Sequence, residues 1–220
     1  MIKASVVIVA GGNARRMGRP KQLLPLKGKP VLLRSIEAFK KSPLTGEIII
    51  VTSADIFSKI SKKVKGLKHA SPGETRLQSV QNGVALCDAR YSLIAVHDGA
   101  RPLVETSDIE ACLKSAAKHK AAVLAVPVKD TIKQAAGGFV SKTLDRASLW
   151  AAQTPQCYES VVLKTALKKY GRALHATDES QLVEKLGVKV ALVPSSYENL
   201  KITTPEDLLI AEAFLCKRRK

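Results

Sequence analysis

The sequence predicts an α/β fold, a doubly wound and mostly parallel sheet with helices on both faces and a single protruding β-hairpin arm. Three observations predict it. Short apolar β-type runs alternate with amphipathic helical runs along most of the chain. The first apolar run ends in Gly11-Gly12 and then enters a strongly basic loop. Further along, Gly137-Gly138 separates two β-compatible arms.

The predicted strands are ASVVIVA (4–10), EIIIVT (47–52), SLIAVHD (92–98), AAVLAVPV (121–128) and VKVALVP (188–194). Both faces of such runs are largely apolar, as expected for strands covered by helices on each side. Between them, PVLLRSIEAFK opens a helix on Pro30 and places Leu32, Leu33, Ile36 and Phe39 on one face. A further helix, starting near Gly73, carries Arg76 and Ser79; capping and surface charge account for these two as well as function does. In TSDIEACLKSAAKHK, Ile109, Cys112, Leu113, Ala116 and Ala117 follow helical spacing, with Thr106 or Ser107 as the expected N-cap. TDESQLVEKLG reads as a helix capped by Thr177 and stopped by Gly187. TPEDLLIAEAFL has Thr204 to cap, Pro205 at the first helical position, and Glu206 and Asp207 against the positive helix end. Residues 128–150 break the alternation and read as the hairpin arm. A lone hairpin is marginal in water, so it is expected to pack against something, plausibly a second subunit.

A chain of 220 residues is expected to form one domain. Its 36 basic residues against 19 acidic ones give a net charge of +17, which suits either nucleic acid or a phosphorylated small molecule. Aromatic residues make up only 4%, too few for rows of base-stacking platforms. No helix-turn-helix, RNA-recognition or zinc-finger pattern supports the nucleic-acid reading. Cys87, Cys112, Cys157 and Cys216 form no CxxC pair and are expected as buried free thiols. The start of the chain lacks a secretory cleavage pattern and no run is long enough to span a bilayer, so a cytoplasmic protein without membrane contact is expected.

The loop after the first strand carries Arg15, Arg16, Arg19, Lys21 and Lys27 with no acidic residue among them. Such a loop repels itself unless an anion sits in it. In a doubly wound sheet, ligands bind outside the carboxyl ends of the strands, where this loop lies. Gly11 and Gly12 permit close backbone approach to an anion. The loop lacks GxxxxGK[ST], and Pro20 and Pro25 oppose the immediate helix of a GxGxxG fingerprint, which removes an NAD-dependent dehydrogenase. A long irregular basic loop remains, suited to wrapping a triphosphate. Asp98 ends a predicted strand, and Gly99 after it would leave room for a ligand. That carboxylate suits a magnesium ion or a sugar hydroxyl, and an ion pair with Arg101 explains it as simply.

The loop resembles the AGGxxxRM…PK signature of the sugar-phosphate nucleotidyltransferases. GETRLQSV (73–80), VHDGARP (96–102), VPVKDTIK (126–133), LDRASLWAAQTPQ (144–156), TDES (177–180) and ENLKITTPEDL (198–208) narrow it. In order, and over nearly the whole chain, they resemble the 2-C-methyl-D-erythritol 4-phosphate cytidylyltransferases of non-mevalonate isoprenoid synthesis. The resemblance implies a Rossmann-like nucleotidyltransferase fold and transfer of a cytidylyl group from CTP, with Mg²⁺, to 2-C-methyl-D-erythritol 4-phosphate. It places Ala10, Gly11, Gly12, Gly73, Glu74, Ser79 and Gly99 around the nucleotide. Arg16 and Lys21 would stabilise charge at the α-phosphorus. Arg146 and Lys201 would hold the acceptor phosphate with Thr131, Thr154 and Thr177, and Asp98 and Arg101 would lie at the floor, Asp98 also as a candidate metal ligand. It also implies a homodimer in which the arm crosses over, so that Thr131, Arg146 and Thr154 act in trans. Ala14 stands where the family often has glycine, Glu74 where aspartate is usual, and the run from Met17 to Lys21 is short. A ribitol 5-phosphate cytidylyltransferase shares much of this motif set and is the nearest alternative.

Overall fold

The computed structural model describes residues 2–12, 20–171 and 176–218. Chain order gives β1 (Ala4–Val9), a short hairpin of β2 (Pro25–Leu26) and β3 (Lys29–Pro30), α1 (Val31–Lys41), β4 (Thr45–Val51), α2 (Ala54–Ser61) and β5 (Leu67–Ala70). There follow α3 (Arg76–Ala85), β6 (Leu93–Asp98), α4 (Thr106–His119), β7 (Ala121–Pro127), β8 (Lys133–Ala136), β9 (Phe139–Thr143) and β10 (Trp150–Glu159). The last elements are α5 (Ser160–Tyr170), α6 (Ser180–Lys185), β11 (Ala191–Pro194) and α7 (Pro205–Lys217).

The seven-stranded sheet runs β11-β7-β10-β6-β1-β4-β5. β1 pairs in parallel with β4 and β6, β4 with β5, and β7 with β11. Alternate residues of β1 serve opposite layers. Val6 and Ile8 pack with Leu32, Ile36 and Phe39 of α1 and Ile109 and Leu113 of α4, while Val7 packs with Val80 of α3 and Leu163 of α5. A third apolar cluster seats α7 on Leu24, Leu26 and Leu103 through Ala211. The chain thus crosses from β1 to β4 on one side and later to β6 on the other, which leaves a crevice at the carboxyl ends of β1 and β6.

Besides the short β2–β3 hairpin, two strands of the main sheet escaped the sequence reading. β5 is a short edge strand, and β10 lies antiparallel between β6 and β7. The middle of β10, QTPQ, has three polar side chains around a proline, yet Gln153, Thr154 and Gln156 are all buried and hydrogen-bonded. Pro155 is tolerated because the pairing with β7 is interrupted between Ala152 and Gln156.

The helix starts also differ in part. Thr204 caps α7 as expected, in a capping box completed by Asp207. For α4 the cap position is Glu105, without a side-chain bond, and the Thr106 hydroxyl donates to Ala38 O at 3.1 Å. For α6 the cap position is Glu179 rather than Thr177, and the Asp178 carboxylate accepts from Gln181 N at 3.2 Å. Gly187 follows that helix at φ +78°, the left-handed stop that was expected.

β8 and β9 form a two-stranded sheet of their own, every residue of it exposed. Gly137 (φ +58°) and Gly138 (φ +85°) make the turn, as two positive φ values in a tight hairpin require. The arm is tied at its base by Val128 N donating to Leu149 O at 3.0 Å.

Candidate active site

The crevice holds a cleft of about 390 Å³ lined by Gly11, Gly12, Lys21, Glu74, Arg76, Asp98 and Lys201, among others. Its glycine wall is fixed from below. Gln22 Nε2 donates to Ala10 O at 2.6 Å and Gly12 O at 3.0 Å, and the Thr52 hydroxyl donates to Ala10 O at 3.0 Å. A Cβ on Gly11 would run into Pro72, whereas one on Gly12 would meet nothing within 4 Å. Gly11 is therefore glycine for packing, and Gly12 faces open space. The opposite wall is built the same way: Ser79 is buried, accepts from Gly73 N at 3.0 Å and donates to Thr75 O at 3.0 Å. Thr75 and Gln78 complete a capping box at the start of α3. Ala10, Gly73, Glu74 and Ser79 are thus brought to one cleft, as expected, with Ser79 setting the turn that shapes it.

The floor is electrostatic. Asp98 binds Arg76 Nε at 3.2 Å through one oxygen and Lys201 Nζ at 2.8 Å through the other. Burial works to raise the Asp98 carboxyl, but Arg76 and Lys201 outweigh it and hold the group well below the usual carboxylate range. Arg76 reaches on to Glu179 at 2.6 Å and is held charged by its two carboxylates against the cost of burial. Lys21 Nζ donates to Ile202 O at 3.1 Å, one residue from Lys201. Two basic side chains from distant parts of the chain therefore meet at the cleft mouth.

Other expected residues lie elsewhere. Arg101 is not at the floor: its Nη1 donates to Asn199 O at 2.7 Å, and it lies outside the cleft lining, so the simple Asp98–Arg101 pair is not formed. A Cβ on Gly99 would meet Leu32, Ala10 and Ile8, which makes that glycine a packing residue and not a space for ligand. Thr154 is buried in the sheet, where its oxygen accepts from Asp98 N at 3.0 Å and bonds His97 Nδ1 at 3.1 Å. It supports Asp98 within its own chain and is not among the residues that line the cleft. Since its hydroxyl proton goes to Nδ1, His97 carries its proton on Nε2 toward Arg101 O; desolvation lowers this histidine to about 3 and keeps it neutral. Thr177 is exposed. Thr131 and Arg146 are exposed at the arm's base, outside the cleft lining, with Arg146 Nη1 donating to Lys129 O at 2.6 Å. Arg16, Ala14 and the rest of 13–19 lie outside the described residues.

Sequence reasoning passed over Gln22, Glu179 and Asn199, and left Arg76 balanced between function and surface charge. Asn199 Nδ2 donates to Gln153 Oε1 at 2.9 Å and Thr154 O at 3.1 Å, which pins the segment carrying Lys201 to β10. All four sit in quoted motifs or beside Lys21, but their partners are remote in sequence. As for a metal, no group of three His, Cys, Asp or Glu side chains gathers among the described residues, and both Asp98 oxygens are paired. This donor set does not fit a magnesium ion held by protein ligands. All four cysteines are free thiols, but only Cys112 and Cys157 are buried as expected; Cys87 is half-buried and Cys216, on the last helix, is exposed.

A sequence profile of the 2-C-methyl-D-erythritol 4-phosphate cytidylyltransferases matches residues 4–217. The enzyme of that name from Caldanaerobacter subterraneus subsp. tengcongensis is 44% identical, over 98% of this chain and 100% of the relative. The crystal structure of 4-diphosphocytidyl-2C-methyl-D-erythritol synthase from Anaerococcus prevotii superposes with a TM-score of 0.88 at 28% identity, covering 98% of this chain and 96% of that one. The cytidylyltransferase from Thermus thermophilus gives a TM-score of 0.81 at 30% identity, over 97% and 98%.

Proposed function

The chain belongs to the 2-C-methyl-D-erythritol 4-phosphate cytidylyltransferase family, and we propose that the cleft at the ends of β1 and β6 is where it joins its two substrates. The protein transfers a cytidylyl group from CTP to 2-C-methyl-D-erythritol 4-phosphate, giving 4-diphosphocytidyl-2-C-methyl-D-erythritol and pyrophosphate. Membership of this family favours 2-C-methyl-D-erythritol 4-phosphate over ribitol 5-phosphate as the acceptor. The observation that carries the site is the convergence of Lys21, Arg76 and Lys201 on one cleft behind the glycine wall.

In this reading the nucleoside packs between Gly12 and the Gly73–Thr75 turn, and the phosphates run toward Lys21. An oxygen of the acceptor phosphate attacks the α-phosphorus, and the bond to the β-phosphate oxygen breaks to release pyrophosphate. A phosphate monoester is already nucleophilic at neutral pH, so the work is to bring two anions together and to stabilise the charge of the transition state. Lys21 and Arg16 serve the α-phosphorus, and Lys201 holds the acceptor phosphate. Lys201 must exchange its Asp98 contact for that phosphate, which Asp98 tolerates because Arg76 still neutralises it. Mg²⁺ would enter on the triphosphate oxygens, in keeping with a cleft floor whose carboxylate is already paired.

The arm supports a homodimer. Phe139 is 80% and Val140 62% exposed on a two-stranded sheet that cannot bury them alone. Crossing to a second copy would cover them and carry Thr131 and Arg146 to that copy's acceptor phosphate. Among the described residues no helix is long and apolar enough to cross a membrane, and the charged substrates suit a cytoplasmic enzyme. Pyrophosphate release with CTP and 2-C-methyl-D-erythritol 4-phosphate, with ribitol 5-phosphate in parallel, tests the assignment. Release is expected with the first acceptor alone, and release only with ribitol 5-phosphate would overturn it.

A further inference from the structure

Glu179 lies in the TDES motif and is wholly buried, away from the cleft lining. Its Oε1 accepts from Arg76 Nη1 at 2.6 Å, while its Oε2 has no partner among the described residues. A dry carboxylate with one oxygen unanswered is costly, and folds retain such groups where they serve something besides packing. Burial pushes this carboxyl up and Arg76 opposes the rise. Beyond it, Arg76 Nε binds Asp98 Oδ1, and Asp98 Oδ2 binds Lys201. The four charges form a chain of alternating sign from the protein interior to the cleft, and Glu179 is its buried end.

An arginine side chain has four rotatable torsions and would swing between Asp98 and any phosphate entering the cleft. Glu179 prevents that by fixing one nitrogen from behind. The guanidinium then holds Asp98 by Nε and keeps its remaining edge on the cleft wall. We propose that Glu179 is a positioning residue for cytidylyl transfer, acting through Arg76 to keep Asp98 and the cleft-facing guanidinium in place while Lys201 leaves for substrate. This rests on the cytidylyl-transfer reading of the cleft.

The test is steady-state pyrophosphate release with CTP and 2-C-methyl-D-erythritol 4-phosphate for Glu179→Gln, Arg76→Ala and the double variant, with melting curves for each. Glu179→Gln keeps an acceptor for Arg76 but removes the charge, and should lower kcat/KM for CTP by about 10- to 100-fold, as misplacement at a reacting centre does. In the Arg76→Ala background the same change should alter kcat/KM by less than about twofold, because its route of action is gone. There it should raise the melting temperature, since it removes a buried charge left without its partner. Two results would overturn the proposal: kinetic constants unchanged in Glu179→Gln with only a lower melting temperature, or losses that multiply in the double variant. A wild-type protein that releases no pyrophosphate would overturn the activity, and this role with it.

Discussion

The cleft floor and the arm both carry side chains that the family resemblance assigns to the acceptor phosphate, yet they are built on opposite principles. At the floor, Lys201 and Asp98 sit in a network whose every member is bound by a partner from a distant segment: α3, β6, the stretch between β11 and α7, and the start of α6. In the arm the bonds stay local, as in Arg146 to Lys129 O, Lys133 to Thr143 and Ser141 to Gln134 O, and all of β8 and β9 faces outward. Half of the site is therefore organised before any ligand or partner arrives. The arm is an exposed hairpin with no packed surface of its own, which the proposed dimer would supply. Preorganised charge is what lowers a phosphoryl-transfer barrier, and the contrast predicts that damage at the floor acts on chemistry and stability together, whereas damage in the arm acts on assembly.

The largest effect should come from the cleft mouth. Lys21→Ala is expected to lower kcat by about 10²–10³, the loss typical of a preorganised charge at the reacting centre, with little change in melting temperature; pyrophosphate release measures it. A loss confined to KM would shift Lys21 from the transition state to simple binding.

Asp98→Asn strikes the floor itself. It leaves Arg76 and Lys201 facing a neutral amide, and should cost up to about 3 kcal/mol, the low end for breaking a buried pair because Lys201 reaches solvent. The pH dependence has a definite sign. The folded Asp98 carboxyl lies below its unfolded value, so its stabilisation is complete above the ordinary carboxylate range near ~4 and is lost as pH falls through that value toward the depressed one. Melting curves at stepped pH should therefore show a steeper acid loss for wild type than for Asp98→Asn.

Much of the architecture was legible because strands covered on both faces cannot hide: β1, β4, β6 and β7 are runs of small and branched apolar residues, while the edge strand β11, with one face exposed, showed through composition alone. β10 was not, since its polar centre is satisfied by side chains far away, Gln153 by Asn199 and Gln156 by Asp178. The same physics hid part of the site. The cations of the loop and the glycines announce an anion locally, but Arg76 gains its role only from Asp98 and Glu179, 22 and 103 residues on. Gly99 and Thr154 show the converse. Both sit beside functional residues in the motifs, and only packing shows that one fills against Leu32 and the other supports Asp98 from beneath.

Gly99→Ala sharpens that distinction. Its new Cβ meets Leu32 at 2.8 Å, an overpacking expected to cost about 1–3 kcal/mol and to lower the melting temperature, while KM for CTP stays near wild type. The smallest effect on the folded subunit belongs to the arm. Phe139→Ser, at an 80% exposed position, should change subunit stability by no more than about 0.5 kcal/mol yet weaken the dimer, as sedimentation at falling concentration would record.

One measurement sets the two regions directly against each other. Lys21→Ala and Arg146→Ala, each expected to be strongly impaired alone, are mixed under conditions that exchange subunits, and pyrophosphate release from CTP and 2-C-methyl-D-erythritol 4-phosphate is followed. If the floor of one subunit works with the arm of the other, mixed dimers contain one intact site and activity returns. A mixture that exchanges subunits and stays inactive, beside an active wild type, would contradict the account, since each arm would then serve its own chain.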